Sequence, residues 1–156
     1  MDHRIWAVLG LAALAAACER AAEAPLRAEE PPAEEDTLQP ALESIQEHVF
    51  GPHCLRCHSG TSAPQGLRLD DAGTSYANLV NVRSSQMPLQ LRVAPGDPDA
   101  SYLIDKLEGT QLLGTQMPQG AAPLPAEDIA VIREWITRGA PPPAMGESAL
   151  LPARED

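Results

Sequence analysis

The residues best equipped for chemistry stand in one pentamer, Cys54-Leu55-Arg56-Cys57-His58. Its two thiols lie one helical turn apart, so each can add to one vinyl group of a porphyrin. The imidazole that follows is then set beneath the iron as proximal ligand. C-x-x-C-H thus reads as an attachment site for a single c-type haem. Zinc held by His48 or His53 with Cys54, Cys57 and His58 would use similar donors. Against it, His58 directly beside Cys57 is awkward geometry, and no second ligand pair is well spaced. A thioredoxin-like dithiol would need a strand–helix–strand setting, whereas the neighbouring pattern is helical.

An iron held by His58 keeps one face open. Met87, Met117 and Met145 follow the pentamer, and Met145 falls in a tail. Met87 and Met117 both precede Pro, so the dipeptide does not choose between them. Met87 lies in a stretch, Arg83–Arg92, without clear anchoring. Met117 lies in a Pro/Gly-rich loop between two helices, where backbone can wrap the distal face, and it is the favoured sixth ligand. His48, on the first helix, reads as a core-edge or surface residue; as a ligand it would make the site bis-imidazole and lower its potential. His53 belongs to the proximal side. Arg68, Arg83 and Arg92 are candidate propionate partners, with solvated loop charge the simpler reading.

Helices must position these groups. Leu42, Ile45 and Val49 recur at helical spacing over Ala41–Phe50, with Gly51-Pro52 as the stop. Ser59–Asp71 reads as loop, and Ser75–Val82 as a weak helix. Asp97-Pro98-Asp99 has the chemistry of a helix start, and the apolar Leu103, Ile104 and Leu107 continue it to Gly109. Thr110–Leu124 is loop. The last helix opens at Pro125, carries Glu127 and Asp128 in its first turn, and sets Ile129, Ile132, Trp135 and Ile136 on one face. Arg138, Gly139 and the prolines at 141–143 end it.

The 156 residues suit one domain, 40–140, with appendages. Aromatics make up only 3%, a thin supply for an ordinary core that a porphyrin would supplement. Net charge is −11. Seven acids against Arg20 and Arg27 concentrate much of it between Glu19 and Asp36. Nothing in this balance suits nucleic acid, which needs basic patches.

Residues 1–17 read as an export signal: Arg4, the apolar run Ile5–Leu14, then Ala15–Ala17. The run is short of the roughly 20 apolar residues that span a bilayer. Cys18 directly after it resembles a lipoprotein box, with Ala15 where Leu is usual; a diacylated Cys18 would anchor the chain stably. Residues 18–39, acidic and rich in Pro, Ala and Glu, read as a disordered tether allowing the domain about 25 Å of reach. Residues 141–156 read as a disordered tail.

Several motifs recur in one order: Cys54–His58, Gly66-Leu67-Arg68-Leu69-Asp70, Pro95-Gly96-Asp97-Pro98, Met117-Pro118, and Trp135-Ile136 followed by Gly139-Ala140. Over roughly Ala41–Ala140 the chain resembles the planctomycete-type cytochrome c domain, within the class I c-type cytochromes. Gln119 departs from a Pro frequent in that family. The resemblance implies a small all-α fold around one covalent haem c, with first and last helices crossing beside it. It also implies Met117 as the distal ligand, matching the family's Met-Pro ahead of the last helix.

The expected function is single-electron transfer between periplasmic or membrane redox partners, by a carrier rather than a catalyst. Such a chain would be a monomer on the periplasmic side of a bacterial membrane, anchored through Cys18 or soluble. The alternative is a small-gas sensor or peroxide-reducing enzyme with an open or weakly ligated distal face.

Overall fold

The computed structural model describes residues 37–144. The export segment, Cys18, most of the 18–39 tether and the tail beyond Ala144 lie outside these residues. Among the described residues the regular structure is helical, with no strand.

The first helix, α1, follows from its apolar spacing: Leu42, Ile45, Val49 and Phe50 are at most 1% exposed. It does not stop at Gly51-Pro52. Three segments, Leu42–Ile45, Gln46–Phe50 and Gly51–Cys54, run on without a break, the middle one a π-helix. Proline in an α-helix clashes with the carbonyl four residues back, here that of His48. The wider π-turn relieves that clash, its register marked by Gly51 N–H donating to the Gln46 carbonyl five residues back. Glycine suits position 51, because a Cβ there would lie 3.1 Å from the Gln46 oxygen.

The second helix, α2, spans Ala72–Leu79, starting and ending three residues earlier than the sequence pattern suggests. Asp71 sets its start: one carboxylate oxygen accepts from Thr74 N–H at 2.8 Å, the other from the Thr74 hydroxyl at 2.7 Å. Inward-facing Ser75 and Leu79 are buried.

The stretch from Arg83 to Arg92 is well anchored, contrary to expectation. Ser84 N–H donates to the Gln90 carbonyl, Gln90 N–H to Met87, and Arg92 N–H to Val82, all within 2.9 Å. The buried Ser84 hydroxyl accepts from the amides of Gln86 and Met87. Arg92 is no solvated charge: its guanidinium donates to the carbonyls of Asn78 at 2.8 Å and Gln65 at 2.6 Å.

The third helix, α3, is Tyr102–Glu108, beginning later than Asp97-Pro98 predicts. Asp97 instead closes a separate turn, accepting from Ala100 N–H on its carboxylate and from the Ser101 hydroxyl on its carbonyl. Gly109 ends α3 at φ 80°, a left-handed position that glycine occupies without strain. The fourth helix, α4, is Ala126–Thr137, and its buried face of Ile129, Ile132, Trp135 and Ile136 matches the predicted stripe.

Helix packs closely on helix in two pairs, α1 with α2 and α3 with α4. One core cluster draws on all four. Within that cluster aliphatic side chains close around Phe50 and Trp135, and Tyr102 is buried outside it. The scarcity of aromatics is therefore met by Leu, Ile and Val.

Candidate functional site

The pentamer forms the end of α1 and the turn after it. Cys57 N–H and His58 N–H both donate to the Cys54 carbonyl, at 3.1 and 2.9 Å. One turn of backbone therefore carries both thiols and the imidazole. Cys54 and Cys57 are free thiols, the first half-buried and the second exposed.

Burial, with a smaller contribution from neighbouring Cys57, pushes the Cys54 thiol up to about 11. A dithiol redox pair works through a thiolate that its surroundings hold low. The Cys54 environment does the opposite. Among the described residues no three His, Cys, Asp or Glu side chains gather as a metal-holding group.

His58 is the best-placed member. Its Nδ1 lies 3.1 Å from the Leu67 carbonyl, which can only accept, so Nδ1 carries the proton. The Nε2 lone pair is then the one available to a metal, and this backbone clamp is the usual second partner of a ligating histidine. His58 is held again through its own carbonyl, which accepts from Leu69 N–H at 2.8 Å.

The clamp reaches into the core through a polar pair the sequence did not reveal. Gln46 of α1 donates to the Leu69 carbonyl at 2.8 Å, and its amide oxygen accepts from the fully buried Ser75 hydroxyl at 2.6 Å. Asp70 closes the same loop, taking Gly60 N–H at 2.8 Å and Arg68 Nε at 3.0 Å. The Gly60 amide, followed by Arg68, holds the Asp70 carboxyl below its usual value.

Met117 lies on another loop. It is partly buried against the same core cluster that Cys54 and Leu55 border. Its N–H donates to the Lys106 carbonyl at 2.8 Å. A cavity of about 310 Å³ opens beside it, lined by residues of Met117's own loop, Thr115 through Ala121 and Pro123. The structure thus joins Cys54, Cys57 and His58 in one turn and sets Met117 apart, on the border of the same core. Met87 is half-buried in the anchored turn after α2.

No protein-family model, curated protein or solved structure matches this chain. The site therefore rests on its own residues. His48 is half-buried on α1, and His53 is exposed one position before Cys54. Of the arginines offered as propionate partners, Arg68 pairs with Asp70, Arg83 donates to the Pro88 carbonyl at 2.9 Å, and Arg92 bridges two carbonyls. Cys18 lies outside the described residues. No helix among the described residues is long and apolar enough to cross a membrane.

Proposed function

We propose that residues 40–140 form a mono-haem c-type cytochrome domain that passes single electrons between partner proteins. In this reading Cys54 and Cys57 would hold the porphyrin through thioethers, and His58 and Met117 would ligate the iron. Bound haem would supply a one-electron ferric–ferrous couple. The donor set fits that group: two thiols and an imidazole on one turn, with a thioether elsewhere on the border of the same core.

The observation that carries the reading is the bond from His58 Nδ1–H to the Leu67 carbonyl. It fixes one tautomer, orients the ring and leaves the Nε2 lone pair as the acceptor. Leu55 and Leu67 add half-buried apolar surface beside the motif, which lowers the local dielectric around any group seated there. The order of motifs shared with planctomycete-type cytochrome c domains supports the same reading and the choice of Met117, and the small all-α fold is compatible with it. The apolar run before Cys18 supports an exported chain anchored by lipid on the periplasmic side of a bacterial membrane.

The test is the absorption spectrum of the haem-loaded chain, oxidised and reduced, beside Met117→Ala and Met87→Ala. A low-spin ferric spectrum with the weak far-red sulfur–iron band, lost only in Met117→Ala, is the expected result. Loss only in Met87→Ala keeps the carrier and moves its ligand. A high-spin spectrum indifferent to both substitutions refutes the Met-ligated carrier and favours gas binding or peroxide chemistry. A chain with no covalent haem refutes the haem reading altogether.

A further inference from the structure

A lysine buried on α3, whose own carbonyl takes the Met117 N–H, calls for a reason. Lys106 sits on the core side of α3 and is 8% exposed. Its Nζ donates to the Thr115 carbonyl at 2.9 Å and the Leu113 carbonyl at 3.3 Å, and lies 5.4 Å from the centre of the Tyr102 ring. Two carbonyl dipoles and an aromatic face are what a desolvated cation requires. Burial still lowers its proton affinity. Among the described residues no buried side-chain nitrogen or oxygen lacks a partner.

The residues around this ammonium join three parts of the chain. Tyr102 donates its hydroxyl to the Leu113 carbonyl at 2.7 Å and approaches the Gln86 amide oxygen at 3.4 Å. Gly114 lies between them at φ 76°, and a Cβ there would stand 2.5 Å from Lys106 Nζ and 2.8 Å from the Gln86 amide nitrogen. The missing side chain is the space the ammonium occupies. On the far side of the same helix turn, the Lys106 carbonyl takes Met117 N–H, and Gln116 donates to the Leu107 carbonyl at 2.9 Å. Residues 113–117 are thus laced to α3 at nearly every position, and Lys106 supplies both a side-chain and a backbone tie.

We propose that Lys106, seated in the space left by Gly114, is the positioning residue that holds the Met117 loop in place for distal ligation. This rests on the electron-carrier reading. It assigns Lys106 no contact with the iron: the ammonium acts through the carbonyls of Leu113 and Thr115. A flexible loop would present the Met117 sulfur for only a fraction of the time, and weak thioether–iron ligation would fall with that fraction.

The experiment uses the haem-loaded full chain with Lys106→Met, which keeps an apolar stem of similar reach and removes the charge. Gly114→Ala displaces the ammonium while leaving lysine in place. Ile132→Val, a core change on α4, controls for general loosening. Readouts are the far-red sulfur–iron band, the rate of carbon monoxide binding to the reduced form, and amide exchange over residues 113–119.

Both hub variants should lose at least half of the band, bind carbon monoxide at least tenfold faster, and exchange those amides at least tenfold faster. The control should keep wild-type values. A retained band with unchanged exchange overturns the role of Lys106 and leaves the carrier standing. If the wild type itself shows no sulfur–iron band, the Met-ligated carrier fails; the proposal that rests on it falls too, whatever the exchange shows. Loss of fold in both hub variants beside an intact control would make Lys106 structural to the whole domain and overturn the local role.

Discussion

Gln46, half-buried, and the fully buried Ser75 form a pair whose removal should have opposite signs in two backgrounds. The Gln46 amide is oriented by its surroundings. The Leu69 carbonyl can only accept, so Nε2 must face it at 2.8 Å, leaving Oε1 to take the Ser75 hydroxyl at 2.6 Å. Ser75→Ala in the wild type deletes one bond and leaves Oε1 on a half-buried residue that water can reach, a loss of about 0.5–1.5 kcal/mol.

Gln46→Leu is harsher. It strands the Ser75 hydroxyl, on a residue with no exposure, and the carbonyl of Leu69, which is 2% exposed. Each orphan costs about 1–3 kcal/mol. In that background Ser75→Ala removes one orphan outright, so it should restore about 1 kcal/mol or more. Urea unfolding of the four proteins at neutral pH measures the cycle, with unchanged m-values as the check that midpoints report stability. In melting temperature, each kcal/mol corresponds to roughly 4–8 °C for a domain of this size. Ser75→Ala destabilising both backgrounds equally would mean the pair is uncoupled and would refute this reasoning, along with the claim that Gln46 braces the His58 clamp from the core.

Two further outcomes follow from local geometry. Gly109→Ala places a Cβ at φ 80° within 2.9–3.1 Å of the Gln116 amide. It should cost about 1–3 kcal/mol by thermal melting, through backbone strain and loss of the Gln116–Leu107 bond. The Asp70 carboxyl, held below its ordinary 3.8 chiefly by Gly60 N–H, contributes stability above that value. The contribution disappears as pH falls through its lower folded value, so Asp70→Asn should lower the pH 7 unfolding midpoint and flatten the acid limb below 3.8. An acid limb as steep as the wild type's would show that Asp70 is not linked to folding.

What the sequence by itself determined is short-range. A C-x-x-C-H pentamer places two thiols and an imidazole on one turn whatever surrounds it. Four apolar residues at helical spacing, a proline before them and Arg138-Gly139 after them define α4 because each signal acts within a few residues of the helix it shapes. Gly109 ends α3 for the same reason. Pro52 shows the limit: its stop signal is local, yet burial of Val49 and Phe50 in the core favours carrying α1 through it, with a π-turn easing the clash. Asp97 has the chemistry of a cap but spends it on a turn, because Ser101 is drawn into bonds with Ala94 and Asp97. No local signal anchors Met87, yet Ser84 and Gln90 bind its turn.

The tertiary structure alone decided which groups meet across the chain. Nothing in the residues flanking Lys106 says that its ammonium is buried. Only the returning loop, with no side chain at Gly114, turns that position into a buried cation site. Gln46 and Ser75 are likewise ordinary polar residues until α1 packs on α2. Hydrogen bonds between partners 9 to 29 residues apart depend on how the chain folds back on itself. No spacing rule encodes that, because the burial that makes such bonds strong exists only once the core has closed.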